Sequence, residues 1–328
     1  MTEQVAAIVW VGTREGLLRW QAGAVTPVAS DVAVTSLSRL PGSRIAAGLA
    51  SGELLVLGRD GRVLRRVTLP DAAVPTSVLA IAGPVETWWL ACAEGSLLEL
   101  GGGGASIATR WRAPGAPLQV LPIPGRPRSA LLLQPGAGLW LLAEPGRPPE
   151  RWSQDGAAIR SAAAHPFDGH VWLARTELEF LRSIDGGRSF RPVEGVAPGL
   201  RPRALHWSDQ PHGVVLALTH PRAAPPDPTD PSPVWSSADG GQRFGPVPSR
   251  RIDGVRDPVG ELTCAASWSA RDGHHIVLGS DRGELLGWCG GDGGAELLCD
   301  ALPPIDHLLA VGAAPLLDPS SSGIFLLP

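Results

Sequence analysis

Residues 34–69 read VTSLSRLPGSRIAAGLASGELLVLGRDGRVLRRVTL. Four apolar runs stand out: Val34–Leu40, Arg44–Leu49, Glu53–Gly58 and Arg62–Leu69, with Gly, Pro or Asp in each gap. Short runs joined by tight turns are antiparallel strands. The unit recurs. A Gly opening a Leu-rich run appears at Gly16-Leu17-Leu18, Gly52-Glu53-Leu54-Leu55, Gly95-Ser96-Leu97-Leu98, Gly138-Leu139-Trp140-Leu141 and Gly283-Glu284-Leu285-Leu286. A second turn series follows at Gly23, Gly61, Gly103, Gly146, Gly186, Gly240 and Gly293. The interval is about 40 residues, the period of a four-stranded propeller blade. Two intervals are longer, one holding the Pro-rich stretch His220–Pro233 and the other Arg250–Gly260.

Counting units predicts an all-β, seven-bladed β-propeller of four-stranded antiparallel blades, one domain over residues 1–328. Val5–Val11 is the one clear strand before the first turn pair, and Ile305–Val311 is left over at the end. The simplest closure makes Ile305–Val311 the inner strand of the N-terminal blade, which leaves no open edge there. Residues 220–233 form a loop insertion, and residues 313–328 form a tail that either joins the ring or binds a partner strand.

Composition excludes other classes. Gly (41) and Pro (33) among 328 residues argue against helical bundles and coiled coils. A hydrophobic share of 44% with 18% charged residues argues against disorder. No apolar run approaches a membrane span, and Met1–Gly16 lacks the basic start of a signal peptide. The chain has no Lys, Asn or Tyr, and all 28 basic residues are Arg, the mark of a GC-rich, bacterial genome. A net charge of −4 gives no field that would draw nucleic acid. Cys92, Cys264, Cys289 and Cys299 show no C-x-x-C spacing, and a bridge among the last three is weighed against buried free thiols in a cytoplasmic protein.

Ser183-Ile184-Asp185-Gly186-Gly187-Arg188-Ser189-Phe190 and Ser237-Ala238-Asp239-Gly240-Gly241-Gln242-Arg243-Phe244 fall at the same third-to-fourth strand turn of successive units. Both resemble the Asp-box, or bacterial neuraminidase repeat, S-x-D-x-G-x-T-W. Asp accepts hydrogen bonds from its own turn, Gly supplies positive φ, and the closing aromatic packs between blades. Arg243 replaces the Thr of the motif and loses its hydroxyl. Gly291-Asp292-Gly293-Gly294 and Arg59-Asp60-Gly61 look like decayed copies, and Val11–Leu17 is similar to the opening of proteins built from this repeat. The resemblance is to Asp-box propellers: sialidases, sortilin-like receptors and seven-bladed photosystem assembly factors. It implies that Ser183, Asp185, Gly187, Phe190, Ser237, Asp239, Gly241 and Phe244 are structural and lie away from the usual active-site face.

No catalytic set emerges. A sialidase mechanism needs a Tyr nucleophile, which is lacking. Glu94, Glu177 and Asp281 are turn carboxylates that read as solvated or capping. His165 and His170 bracket a turn, and His274 and His275 point to opposite faces of a strand. Gly101–Gly104 lacks the Lys and helix of a phosphate loop. The sequence therefore predicts neither cofactor nor metal. Trp10, Trp88, Trp89 and Trp172 in second strands, and Trp207 and Trp268 in first strands, read as packing, whereas Trp235 near a loop is a candidate contact.

The expected function is a non-enzymatic protein-interaction scaffold or assembly factor. Its contact residues would be Arg14, Arg175, Arg222, Trp235, Arg250, Arg251, Arg256 and Arg282 on the loop face, beside Pro221–Pro233. Two alternatives stand: a carbohydrate-binding or divergent hydrolytic propeller taking a glycan or small molecule, and a subunit of a larger ATPase-containing assembly.

Overall fold

The structure is a computed structural model. It describes residues 7–81, 85–113, 119–143, 147–153, 159–165, 168–196, 201–207, 215–220, 234–246, 261–270, 273–289 and 295–311. These hold 28 strands and a single turn of 3-10 helix, Pro70–Ala72.

The strands pair, antiparallel throughout, into seven four-stranded sheets. The first contains β1 (Ile8–Thr13), β2 (Gly16–Gln21) and β3 (Ala24–Ser30). The second is β4 (Val34–Leu40), β5 (Arg44–Leu49), β6 (Glu53–Leu57) and β7 (Val63–Thr68). The third is β8 (Pro75–Ile81), β9 (Thr87–Cys92), β10 (Ser96–Gly101) and β11 (Ser106–Arg112). The fourth is β12 (Gln119–Pro122), β13 (Ala130–Gln134), β14 (Gly138–Leu142) and β15 (Glu150–Ser153). The fifth is β16 (Ser161–Ala164), β17 (Trp172–Arg175), β18 (Phe180–Ser183) and β19 (Arg191–Pro192). The sixth is β20 (Arg201–Trp207), β21 (Val215–His220), β22 (Val234–Ser237) and β23 (Gly245–Pro246). The seventh is β24 (Leu262–Ala270), β25 (Gly273–Ser280), β26 (Leu285–Cys289) and β27 (Ala295–Cys299). The last strand, β28 (Ile305–Val311), returns to the first sheet and pairs with β1, Ile8 opposite Val311 and Val11 opposite Leu308.

The sheets stack face to face. Middle strands such as β1, β5 and β13 are buried almost throughout, because each face of the sheet meets a neighbour, whereas the outer strands β3, β7 and β11 are mostly exposed. The strand period of two sends alternate side chains to alternate neighbours. In β1, Ile8 and Trp10 pack with Ile45, Ala47 and Leu55 of the second sheet. Val9 and Val11 pack with Ala266, Val277 and Leu285 of the seventh. Each of the other hydrophobic clusters likewise joins two successive sheets. Burial of a Trp or Leu in such a seam contributes about 2–3 kcal/mol.

The strands that open each sheet also touch one another in order, β4 with β8, β8 with β12, β12 with β16, β16 with β20, β20 with β24, β24 with β28 and β28 with β4. Polar side chains reinforce several of these contacts. Thr35 donates to the Pro75 carbonyl (2.5 Å), Ser77 to that of Val120 (3.2 Å), Trp207 Nε1 to that of Ala163 (3.1 Å), and Thr263 to that of Ile305. His206 Nε2 meets Ser267 Oγ at 2.8 Å. The approach is close enough to require glycine in the adjoining strand. A Cβ on Gly12 would lie 2.8 Å from Val34 Cγ1, and one on Gly279 would lie 2.7 Å from Ile305 Cγ2.

Candidate functional site

The buried polar side chains show where the fold spends its hydrogen bonds. Most belong to turns at the two ends of the sheets. Because strands alternate in direction, one end carries the second-to-third connections and the other carries the first-to-second and third-to-fourth turns.

At the second-to-third end, three turns are built on a buried hydroxyl. Thr13 Oγ1 accepts the N–H groups of Glu15 (3.1 Å) and Gly16 (3.0 Å) and donates to the Gly16 carbonyl (2.9 Å). Thr176 Oγ1 accepts from Leu178 (3.1 Å) and Glu179 (3.0 Å). Ser280 Oγ accepts from Arg282 (3.2 Å) and Glu284 (3.0 Å). A hydroxyl that takes up turn N–H groups fixes the loop without help from a neighbour. Each turn then presents exposed residues at its tip: Arg14 and Glu15, Glu177 and Leu178, Asp281 and Arg282. Leu178 is 71% exposed. Arg14 reaches Asp306 of β28 at 3.4 Å, and Arg160 holds Glu177 at 2.6 Å. The sequence reading identified the charged tips and missed Thr13, Thr176 and Ser280. The signal was present in these three sheets, a hydroxyl residue at or just after the end of the second strand.

The three candidate carboxylates do not converge. Glu94, Glu177 and Asp281 sit on connections of the third, fifth and seventh sheets. Glu94 accepts from Ser96, and Glu177 is taken by Arg160. His165 Nδ1 accepts the Asp168 N–H at 3.0 Å, and its ring meets Trp207 edge-on at 4.8 Å. Burial holds the pKa of His165 below the ordinary histidine value. His275 stacks on Trp268 at 5.0 Å. Cys92, Cys264 and Cys299 are free thiols, and burial pushes Cys92 and Cys264 up to about 12. The side chains of His274 and Cys289 lie outside the described residues.

One expected contact residue is corrected. Trp235 is 5% exposed and packs with Leu173, Phe180, Trp207 and Phe244 between the fifth and sixth sheets. Its place in the third strand puts the indole into the seam rather than at the loop. Each Trp side chain that the structure describes is buried or half-buried, and the Trp288 side chain lies outside the described residues. Arg175 is half-buried at the end of β17. Arg222, Arg250, Arg251, Arg256, the Pro221–Pro233 loop and the 313–328 tail lie outside the described residues.

At the opposite end, the two motif turns have the geometry their residues suggest. Asp185 Oδ1 accepts from the N–H groups of Arg188 (3.0 Å) and Ser189 (3.0 Å) and from Ser183 Oγ (2.7 Å), while Oδ2 accepts from Ser189 Oγ (2.6 Å). Burial opposes the charge, but these bonds outweigh it and bring the carboxyl down to about 2. Asp239 repeats the pattern with Gln242 (2.9 Å), Arg243 (3.0 Å) and Ser237 (2.8 Å), without a hydroxyl from position 243. Ser183 and Ser237 also accept from Gly187 and Gly241, each at 2.9 Å. Phe190 packs into the seam between the fourth and fifth sheets, and Phe244 into that between the fifth and sixth. Asp60 keeps one bond of the set, from the Arg62 N–H (3.1 Å), and residues 291–294 lie outside the described residues.

Four-stranded sheets stacked through shared seams, with their opening strands in mutual contact, decide the architecture. The fold is a β-propeller. No family model matches the sequence, and no curated protein matches it. Solved propellers do match in structure. One chain of the mitotic checkpoint complex superposes with a TM-score of 0.62 at 13% identity, over 88% of this chain and 86% of that one. YCF48 bound to D1 peptide gives 0.56 at 15%, over 77% and 78%. The GH74 enzyme of Niastella koreensis gives 0.58 at 11%, over 85% of this chain but only 40% of that one. This propeller thus spans well under half of that enzyme. At these identities the likeness shows the fold alone.

Proposed function

We propose that the chain is a non-enzymatic, cytoplasmic interaction scaffold or assembly factor, a seven-bladed ring closed by β28 on β1. It takes a protein partner on the end formed by the second-to-third connections. The observation that carries this reading is the set of turns locked by Thr13, Thr176 and Ser280. Residues held rigid before binding lose little entropy when a partner arrives. Arg14, Arg175 and Arg282 are the proposed contacts among the described residues, with the exposed Leu178 as an apolar anchor. Arg222, Arg250, Arg251 and Arg256, which lie outside the described residues, are the further proposed contacts by their place in the sequence. The local use of Glu94 and Glu177 and the burial of the described indoles favour this reading over a glycan hydrolase. Free cysteines suit a reducing compartment.

The test is affinity purification of the tagged chain from its own source, beside the double variant Arg14→Glu/Arg282→Glu with an unchanged circular dichroism spectrum. The expected result is a stoichiometric protein held by the native chain and reduced about tenfold by charge reversal at both turns. Equal recovery with both chains, or turnover of a small substrate, counts against it.

A further inference from the structure

We propose that the cleft between the second and third sheets, at the end away from the hydroxyl-locked turns, receives an acidic side chain from an extended partner segment. That segment adds along the open edge of β7. The cleft measures about 210 Å³ and is lined by Arg44, Val56, Leu64, Arg65, Glu86 and Trp88, with Gly102 and Gly103 at one side. It is smaller than the several hundred Å³ of a drug-sized pocket, so it suits a single side chain.

Its two arginines differ. Arg44 engages all three of its nitrogens: Nε donates to the Pro41 carbonyl (2.8 Å), and Nη1 and Nη2 grip both oxygens of Glu86 (3.2 and 2.6 Å). Glu86 also accepts from Trp88 Nε1 (3.0 Å). That carboxylate is therefore neutralised and occupied. Arg65 is held through one nitrogen only, Nη1, which donates to the carbonyls of Gly102 (3.2 Å) and Gly103. Its Nε and Nη2 donate to no acceptor among the described residues. Nε and Nη2 together form an edge that fits a carboxylate through two parallel bonds. The backbone carbonyls thus aim a guanidinium whose gripping edge is open, in a cleft of net charge +1 (Arg44 and Arg65 against Glu86).

The surroundings specify the rest of the occupant. Leu64, which lines the cleft, is 53% exposed, and its chain neighbour Val63 and the neighbour of Glu86, Val85, are exposed as well (41% and 58%). Val63 and Leu64 belong to β7, the last strand of its sheet, which leaves one row of its N–H and C=O groups without a strand partner. An exposed edge strand is a template for strand addition, and Val63 and Leu64 give this one an apolar start. An extended segment with Glu or Asp between β-branched residues supplies the backbone bonds, the apolar contacts and the carboxylate together.

The test is fluorescence anisotropy with two labelled peptides, VTVEVTV and VTVQVTV, against the full chain. The expected result is binding of the Glu peptide about tenfold tighter than its Gln counterpart. The variant Arg65→Met should abolish that preference, Arg65→Lys should reduce it, and Arg14→Glu/Arg282→Glu at the other end should leave it unchanged. A Glu peptide N-methylated on alternate residues should lose binding, since it cannot pair with a strand edge. Four outcomes overturn the proposal: equal affinity for both peptides, no saturation up to about 1 mM, a preference retained by Arg65→Met, or full binding of the N-methylated peptide. The peptide comparison within the native chain stands even if an Arg65 variant fails to fold. Loss of preference confined to Arg65 also separates this surface from the partner face proposed above.

Discussion

The third-to-fourth turns of the third and fifth sheets occupy the same topological place and are secured in opposite ways. In the fifth sheet the turn is organised from within, by Asp185 accepting four hydrogen bonds from its own eight residues. The neighbouring sheet only adds to it: Trp152 Nε1 donates to the Gly186 carbonyl (2.8 Å), Ser153 to that of Arg188 (2.9 Å), and Arg188 lies over the Trp152 ring at 4.7 Å. In the third sheet the turn Gly101–Ala105 has no side chain of its own that organises it. Its backbone closes on the Gly101 carbonyl, which accepts from Gly104 (3.1 Å) and Ala105 (2.9 Å), and it is fastened from outside by Arg65 of the second sheet and by the Glu86 carbonyl, which accepts the Gly103 N–H (3.3 Å). A turn that satisfies itself closes the seam. A turn fastened by a reaching arginine leaves a gap, and the gap is the cleft.

The sharpest way to break a self-organised turn is Gly241→Ala, in the matching Asp239 turn of the sixth sheet. The residue has φ +75°, and a Cβ there would stand 2.7 Å from Leu173 Cδ1 in the next seam. Overpacking added to left-handed backbone strain should cost about 3 kcal/mol, read by chemical denaturation. Next comes Asp185→Ala, which strands two backbone N–H groups and two hydroxyls and should cost about 2 kcal/mol. The same change at Asp60, which accepts one bond in its turn, should cost under about 0.5 kcal/mol. Were the two equal, the motif would hold no advantage over an ordinary turn.

On the arginine-fastened side, Glu86→Gln keeps the shape but removes the charge facing Arg44. With both side chains about 30% exposed, the expected loss is about 1 kcal/mol, and it should shrink in high salt. The smallest effect concerns acid. A carboxyl lowered in the folded state stabilises above its unfolded pKa, and that contribution disappears as pH falls through the folded value. For Asp185, lowered from 3.8 to about 2, the loss falls between those values. Stability of Asp185→Asn, followed by thermal unfolding, should therefore fall less steeply across that window than stability of the native chain.

How much could be read beforehand differs between these regions. The runs Val34–Leu40 and Arg44–Leu49 match β4 and β5 residue for residue, because tight turns punctuate local sequence. The Asp185 and Asp239 turns were legible for the same reason: all their partners lie within four residues. The Arg44–Glu86 and Arg65–Gly102 links were not, since they join residues about one repeat apart and carry no periodic signal. Trp235 was misread because nearness to a Pro-rich stretch says nothing about the direction a third-strand side chain takes. The thiols of Cys92 and Cys264 proved free, as a chain without C-x-x-C spacing suggests.

The pairing of β28 with β1 has a cost during synthesis. Ile8 and Val311 meet in one sheet, although a ribosome adding roughly 5–20 residues each second makes them tens of seconds apart. During that interval Val9 and Val11, both buried at the end, have no strand on one side and no seventh sheet to cover them. The nascent chain thus carries a hairpin whose apolar face waits for the seventh sheet and β28. A circular permutant that joins β28 directly ahead of β1 would remove the wait, and it should reach the soluble fraction in cells with less help from chaperones.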